Sequence, residues 1–203
     1  IAADVASARR EVFEKSLGIR TVATNADAAR DAKMILLSVK PQVMKDVLAG
    51  IAPILQPDAL IISIAAGISS TFIERHLGEG KKWRVVRTMP NTPVMVGEGM
   101  VAISRGKCAT DADLLAARKI FEAGAAVIEL PEDKIDAVTA MSGSGPAYVF
   151  YVVEQMIKAG VALGLTGEHA HILATRTALG AGKMLTTLAD SPQGLRRKVT
   201  SPG

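Results

Sequence analysis

Two periods of apolar residues alternate along the first 130 residues of the chain. Short continuous apolar runs predict strands buried in a sheet, and apolar positions three and four apart predict amphipathic helices between them. The expected strands are residues 19–23, 34–39, 60–64, 83–88, 99–104 and 125–130. The run at 34–39 is almost wholly apolar, so we expect that strand to be buried on both faces. The alternation predicts a doubly wound α/β domain with a parallel sheet.

Proline and capping residues mark where the intervening helices begin. Pro41 follows a strand and is well placed in the first turn of the next helix, where its missing N–H costs nothing. We expect Asn25 to cap a helix over 26–32. Thr71 and Glu74 have the spacing of a capping box, so we expect another helix to begin there.

The pattern changes at Pro131, after which no strand is predicted. Residues 132–142 and 168–188 have helical spacing, and Pro146 opens a long helix that is apolar on several faces. Such a helix needs partners on more than one side, so we expect this part to pack against a second copy of the chain. The expected domains are 1–130, which is α/β, and 131–203, which is all-α.

The composition fits a globular protein and argues against several classes of function. Apolar residues make up 49% of the 203 residues, charged residues make up 22%, and the net charge is +4. The basic residues are scattered and lack aromatic neighbours, which argues against nucleic-acid binding. No apolar run could span a bilayer, and the histidines lack nearby ligands, so we expect neither a membrane partner nor a metal. The single cysteine, Cys108, fits a reducing compartment such as the cytoplasm.

Small and polar residues follow three of the expected strands. The segments are Ser38-Val39-Lys40-Pro41, Ile64-Ala65-Ala66-Gly67 and Met89-Pro90-Asn91-Thr92-Pro93. Ligands of doubly wound sheets bind beyond the carboxyl ends of the strands, where small residues let a flat cofactor approach the backbone. Each segment alone could be only a turn, but three at one sheet edge favour a cofactor site. The Asn91 amide is placed to meet a carboxamide or a substrate.

Two further candidates lie near the ends of the chain. Asp4 follows a short strand, where an acid can accept hydrogen bonds from an adenosine ribose. The alternative is that Asp4 caps a helix and that Arg9 and Arg10 form a solvated face. The segment Thr200-Ser201-Pro202-Gly203 has the composition of a helix N-terminus, which could bind a substrate carboxylate.

Five segments together carry a family resemblance. They are Val39-Lys40-Pro41, Ser63-Ile64-Ala65-Ala66-Gly67, Arg87-Thr88-Met89-Pro90-Asn91-Thr92-Pro93, Met141-Ser142-Gly143-Ser144-Gly145-Pro146-Ala147-Tyr148 and Val199-Thr200-Ser201-Pro202-Gly203. In this order and spacing they resemble the pyrroline-5-carboxylate reductase family over essentially the whole chain. The resemblance implies a Rossmann-like domain that binds NADPH or NADH, followed by an all-α dimerisation domain. It also implies reduction of 1-pyrroline-5-carboxylate to proline where one subunit's cofactor meets the other subunit's helices.

The resemblance also implies roles for individual residues. Cofactor contacts are expected from Ala3, Asp4, Asn25, Ser38, Val39, Lys40, Pro41, Ile64, Ala65, Ala66, Asn91 and Lys198. Substrate contacts are expected from Glu132, Val199, Thr200, Ser201 and Gly203, with the carboxylate held at Ser201 and the backbone after it. Some members differ at Asp4 and Lys198, so the choice between NADH and NADPH stays open. No catalytic acid is required, because the cofactor carries the hydride chemistry and the protein supplies position.

Two alternative functions stay open at this point. A β-hydroxyacid dehydrogenase of the same layout needs a catalytic lysine, and none lies between Pro146 and Gln155, with Lys158 further along. A ligand-binding relative without activity would bind NAD(P)H but not turn it over. The family's glycine-rich first turn would precede Ile1, and a glycine-threonine segment would follow Gly203. We therefore expect the chain to be the central part of a longer protein and to be inactive by itself.

Overall fold

The computed structural model describes residues 1–200 in two compact units, the first ending at Ser144 and the second beginning at Gly145. The strands are β1 (Ala2–Ala3), β2 (Thr21–Val22), β3 (Met34–Leu37), β4 (Leu60–Ser63), β5 (Arg84–Pro90), β6 (Gly99–Arg105) and β7 (Ala125–Glu129). The helices are α1 (Ser7–Leu17), α2 (Asn25–Ala29), α3 (Met44–Ile51), α4 (Ser70–Leu77), α5 (Asp111–Phe121), α6 (Ile135–Val138), α7 (Gly145–Ala162), α8 (Gly167–Thr187) and α9 (Pro192–Val199). Short 3₁₀ helices cover Pro41–Val43, Thr92–Val96 and Glu132–Lys134, and a π-helix covers Thr139–Gly143.

The main sheet of the first unit has five strands in the order β3-β4-β5-β6-β7, and β1 pairs with β2 in a separate parallel ribbon. Strands β3, β4 and β5 are parallel, but β6 runs antiparallel to β5, and β7 follows β6 in parallel. The expectation of a wholly parallel sheet is therefore wrong at β6. The connection from Pro90 to Gly99 is too short to cross the sheet, since a parallel return needs a dozen residues or more.

Helices cover both faces of the main sheet and form two cores. On one face, Ile61 and Val85 pack with residues of α3 and α4 and with Trp83. On the other face, Ile62 and Val86 pack with residues of α5. A sheet with helices on both faces is the expected doubly wound arrangement, and a helical unit follows it, so the fold class is confirmed.

The strand at 34–39 is less buried than its composition predicts. Met34 and Leu36 keep 42% and 47% of their surface exposed, whereas Leu37 is buried. The reason is topological, because β3 lies at the edge of the main sheet and alternate side chains point away from the core of α3 and α4. A run of apolar residues cannot by itself tell an edge strand from a central one.

Two of the expected helix caps are displaced by one or two residues. The Thr24 hydroxyl, not Asn25, caps α2 and accepts a hydrogen bond of 3.1 Å from the N–H of Asp27. The N-cap of α4 is Ser69, so Thr71 lies inside that helix and forms no capping box. In both cases a residue with a hydroxyl group, slightly earlier in the chain, has the extended backbone conformation that an N-cap requires.

The second unit consists of helices joined by short turns, with no strand among the residues that the structure describes. Helices α7 and α8 pack closely, and a Cβ atom at Gly160 would lie 3.2 Å from side-chain atoms of Ala170 and Leu165. Helix α9, which the sequence pattern did not predict, is capped by Ser191. Within residues 1–200, no helix is long and apolar enough to cross a membrane.

Candidate active site

Three strand ends meet at one edge of the main sheet. The register pairs Leu37 with Ser63, and Ser63 with Arg87, on neighbouring parallel strands. The N–H of Ile64 donates to the carbonyl of Leu37 at 3.2 Å, and the Thr88 hydroxyl donates to the carbonyl of Ser63 at 3.0 Å. The segments after β3 and β4 therefore leave the sheet side by side. The segment that follows β5, beginning at Asn91, leaves at the same edge.

The segment after β4, Ile64-Ala65-Ala66-Gly67, keeps its backbone close to the sheet. Ala65 is 4% exposed, and its N–H donates to the hydroxyl of Ser63 at 3.3 Å. Gly67 has a φ of 72°, a conformation that glycine adopts at no steric cost. A turn of this kind, without large side chains, leaves main-chain groups accessible to a flat ligand.

A cavity of about 530 Å³ opens between β1 and β3. Its lining includes five of the residues expected to bind a cofactor, namely Ala3, Asp4, Asn25, Ser38 and Val39. Its inner wall is apolar and comes from β3 and from Val47 and Ile51. The other expected cofactor residues are outside this lining. Lys40 and Pro41 directly follow Val39. The neighbouring strand ends contribute the turn of Ile64, Ala65 and Ala66 and the residue Asn91, whereas Lys198 lies in α9.

The side-chain amide of Asn91 is engaged at both ends within the first unit. Its oxygen accepts a hydrogen bond of 2.8 Å from the N–H of Met100, and its nitrogen donates to the carbonyl of Ser142 at 3.2 Å. Ser142 belongs to the π-helix, so Asn91 ties β5 and β6 to that segment. The sequence predicted one helix over 132–142, whereas the structure forms 3₁₀, α and π turns in succession.

Glu132 also makes its contacts inside the first unit. Its carboxylate accepts hydrogen bonds from the N–H of Ser70, at 2.6 Å, and from the Ser70 hydroxyl. The guanidinium of Arg87 lies 3.5 Å from Glu132 and 2.9 Å from Asp136. Arg87 is only 5% exposed, and a buried guanidinium requires such partners. Glu132 thus fastens the segment after β7 to α4 and β5.

The remaining expected site residues belong to the second unit. Lys198 in α9 forms an ion pair of 2.8 Å with Asp190. Val199 is 79% exposed, and the Thr200 hydroxyl donates to the carbonyl of Arg196 at 2.8 Å. Ser201 and Gly203 lie outside the described residues.

A second, shallower cavity of about 370 Å³ lies beside the ends of β6 and β7. Its lining includes Ser104, Arg105 and Glu132. The hydrogen bond that Arg105 donates to Asp111 raises the pKa of Arg105 above its usual value, so the guanidinium remains charged. Among residues 1–200, no cluster of His, Cys, Asp or Glu could hold a metal ion.

Arg87 and Ser70 are functional candidates that sequence reasoning missed. The sequence predicts a buried strand around Arg87 and the start of a helix beside Ser70, and neither prediction indicates a functional residue. The available signal was the charge of Arg87 inside an otherwise apolar strand, because such a charge demands a partner elsewhere in the chain. The partner, Glu132, comes after β6, α5 and β7 in the sequence, so local spacing could not identify it.

Two family models match separate parts of the chain, one at each end. One, described as pyrroline-5-carboxylate reductase dimerisation, matches residues 132–203. The other, described as NADP oxidoreductase coenzyme F420-dependent, matches residues 1–67. The first contains the expected substrate residues, and the second contains most of the expected cofactor residues.

Curated proteins and solved structures resemble the chain over almost its full length. A pyrroline-5-carboxylate reductase of Pseudomonas aeruginosa is 42% identical over 99% of this chain and 73% of that protein. A pyrroline-5-carboxylate reductase structure from Coxiella burnetii has a TM-score of 0.88 and 36% identity, covering 100% of this chain and 76% of that one. A pyrroline carboxylate reductase of Plasmodium falciparum with NADP bound has a TM-score of 0.85 and 29% identity, covering 100% and 84%. The chain therefore belongs to the pyrroline-5-carboxylate reductase family.

Proposed function

We propose that the protein reduces 1-pyrroline-5-carboxylate to L-proline, the last step of proline biosynthesis, with NADPH or NADH as the hydride donor. The observation that carries the proposal is the 42% identity to the Pseudomonas aeruginosa reductase across 99% of this chain. The common edge of β3, β4 and β5 supports it independently, because dinucleotides bind beyond such strand ends.

The described residues fit a dinucleotide. The cavity between β1 and β3 offers polar groups from Asp4, Asn25 and Ser38 at its rim. Lys40, Pro41 and the Ile64, Ala65 and Ala66 turn continue the same sheet edge, and we assign them, with Ala3, Val39, Asn91 and Lys198, to the cofactor site. The bound cofactor supplies the hydride, and these residues orient it.

The substrate is assigned to residues of the all-α part. We propose that Ser201 and the backbone after it, up to Gly203, hold its carboxylate, and that Val199 and Thr200 also contact the substrate. We also assign Glu132 to substrate binding, and its contacts with Ser70 and Arg87 favour a positioning role over proton transfer. A cyclic iminium is already electrophilic, so orientation of the two reactants is the main requirement.

The protein is further proposed to act as a homo-oligomer in the cytoplasm. We assign 1–130 to dinucleotide binding and 131–203 to dimerisation and substrate binding. On α7, the four successive residues Val149, Phe150, Tyr151 and Val152 are all more than half exposed. Exposed apolar surface of this extent favours burial against a second copy. The single cysteine, which cannot form an internal disulfide, supports the cytoplasmic assignment.

A spectrophotometric assay tests the proposed function. The full-length protein is incubated with NADPH or NADH and pyrroline-5-carboxylate, and oxidation of the cofactor is followed by absorbance. We expect turnover with this imine, and no reduction of NADP+ or NAD+ when a β-hydroxyacid replaces the imine in a parallel assay, since α7 carries no lysine between Pro146 and Gln155, and Lys158 pairs with Glu154. Binding of NAD(P)H without turnover would instead favour a ligand-binding relative.

The proposed carboxylate site has its own test. Ser201→Ala in the full-length protein is expected to raise the KM for pyrroline-5-carboxylate while the KM for the cofactor changes little. A substitution at this position that leaves the substrate KM unchanged would remove Ser201 from the site.

A further inference from the structure

Two arginines of α1 gather around Asp4, which follows β1. The Oδ2 atom of Asp4 lies 3.3 Å from Nε of Arg9. The main-chain carbonyl of Asp4 accepts a hydrogen bond of 2.7 Å from the guanidinium of Arg10. The Oδ1 atom accepts a hydrogen bond of 2.9 Å from the N–H of Ala6, the residue that precedes α1. These contacts hold the Asp4 carboxylate in one place, so its position does not depend on a ligand.

Asp4 and Arg9 face the same space. Both line the cavity between β1 and β3, together with Ser38. The Asp4 side chain keeps 25% of its surface exposed and the Arg9 side chain keeps 70%, so both can reach a bound molecule. Arg10 is engaged by the carbonyls of Asp4 and Val5 instead. The rim of the cavity therefore presents one carboxylate and one guanidinium that neutralise each other.

The two nicotinamide dinucleotides differ at one position of the adenosine ribose. NADH carries a 2′-hydroxyl there, and NADPH carries a 2′-phosphate. A carboxylate accepts a hydrogen bond from the hydroxyl but repels the phosphate, whereas a guanidinium attracts the phosphate. The guanidinium of Arg9 is shared with the Asp4 carboxylate and is therefore a weaker phosphate ligand than a free arginine.

We propose that Asp4 sets the cofactor preference of this chain by disfavouring NADPH relative to NADH, and that Arg9 is the phosphate ligand that Asp4 restrains. This inference rests on the proposed function, because it requires a nicotinamide dinucleotide in the cavity. It goes further by assigning the discrimination between the two cofactors to one ion pair. Neutralising the carboxylate is then sufficient to release Arg9 toward a 2′-phosphate.

The test compares both cofactors on the full-length protein. Asp4→Asn removes the charge but keeps an oxygen that can accept the hydrogen bond from Ala6, so the start of α1 is preserved. Dissociation constants for NADH and NADPH are measured by cofactor fluorescence without substrate, and kcat/KM is measured with each. We expect the NADPH-to-NADH preference to rise about tenfold or more in both measurements, because a like charge beside the phosphate is removed.

Two further variants make the test specific. Arg9→Gln in the Asp4→Asn background is expected to abolish most of the gain for NADPH. Glu11→Gln removes one negative charge from α1, where Glu11 pairs with Lys15 at 3.2 Å outside the cavity lining, and is expected to change the preference less than about twofold. If both cofactors bind but Asp4→Asn shifts the preference no more than Glu11→Gln, the inference is wrong. If neither cofactor binds the unaltered protein, the proposed function itself fails.

Discussion

The side-chain nitrogen of Asn91 donates a hydrogen bond of 3.2 Å to the carbonyl oxygen of Ser142, 51 residues later in the chain. The same amide accepts a hydrogen bond from the N–H of Met100. Asn91 thus joins β5 and β6 to the π-helix that precedes the second unit. Its amide, which the sequence placed near a ligand, is used to hold the segment after β7 against the sheet.

Asn91→Ala is expected to destabilise the first unit by about 1–3 kcal/mol, because the N–H of Met100 and the carbonyl of Ser142 both lose a partner. Asn91→Asp keeps the acceptor and is expected to cost less. Urea unfolding followed by the fluorescence of Trp83, the only tryptophan of the chain and 1% exposed, reports on this unit. Thr92→Ala next to it, at an exposed position, serves as the control. Equal unfolding midpoints for Asn91→Ala and Thr92→Ala would contradict the prediction.

The two carboxylates that face Arg87 are expected to contribute unequally. Glu132→Ala removes a partner of a buried guanidinium and of Ser70, and we expect a cost of about 1–3 kcal/mol. The Asp136 side chain is 83% exposed, so Asp136→Ala is expected to cost less than about 1 kcal/mol. Urea unfolding at low and high salt measures both, and only the Asp136 effect should fall with salt. A loss at Asp136 as large as that at Glu132 would show that the exposure of the carboxylate does not set the difference.

A pair of glycine substitutions tests close packing against helix propensity. A Cβ atom at Gly106 would lie 2.7 Å from the carbonyl oxygen of Val85, whereas Gly50 in α3 has nothing within 4 Å. Gly106→Ala is therefore expected to destabilise the first unit by about 1–3 kcal/mol. Gly50→Ala is expected to stabilise it by up to about 1 kcal/mol, because alanine favours the helix. Thermal unfolding compares the two, and shifts in the same direction would refute the interpretation.

The apolar surface of α7 predicts a further result. Phe150, which is 65% exposed, becomes buried if α7 packs against a second copy. Phe150→Asp is then expected to lower the molar mass measured by light scattering after size-exclusion chromatography, because a charge cannot be buried there without a partner. Val12→Asp on α1 changes a residue that is 61% exposed and is expected to leave the molar mass unchanged. An unaltered mass for Phe150→Asp would place the interface elsewhere.

The sequence predicted the strand ends at the common edge of β3, β4 and β5 well, because the patterns that indicate them lie in nearby residues. The small residues from Ser38 to Pro41 and from Ile64 to Gly67 follow apolar runs directly, and parallel strands bring such ends together. The direction of β6 was not predictable from its apolar run, since burial looks the same in both directions. The exposure of Leu36 depends on its position in the sheet rather than on its neighbours in sequence.

The long-range contacts of the site could not be predicted for the same reason. Asn91 lies in a segment whose residues are typical of a turn. Its hydrogen bond to Ser142 forms only because the π-helix folds against β5. Glu132 was placed near the substrate by the resemblance alone, and its contacts with Ser70 and Arg87 come from segments far apart in the chain. Interactions of this kind depend on topology, whereas periodicity and capping depend only on nearby residues.

The order of the main sheet has a consequence for how the protein is made. Each strand from β4 to β7 lies beside the strand that precedes it in the chain, so the sheet can grow from β3 one strand at a time as the ribosome releases it. Arg87 is the exception to this sequential assembly. Its guanidinium has no carboxylate partner until Glu132 and Asp136 have been synthesised, so a nascent chain that ends before them carries an uncompensated charge in its central strand.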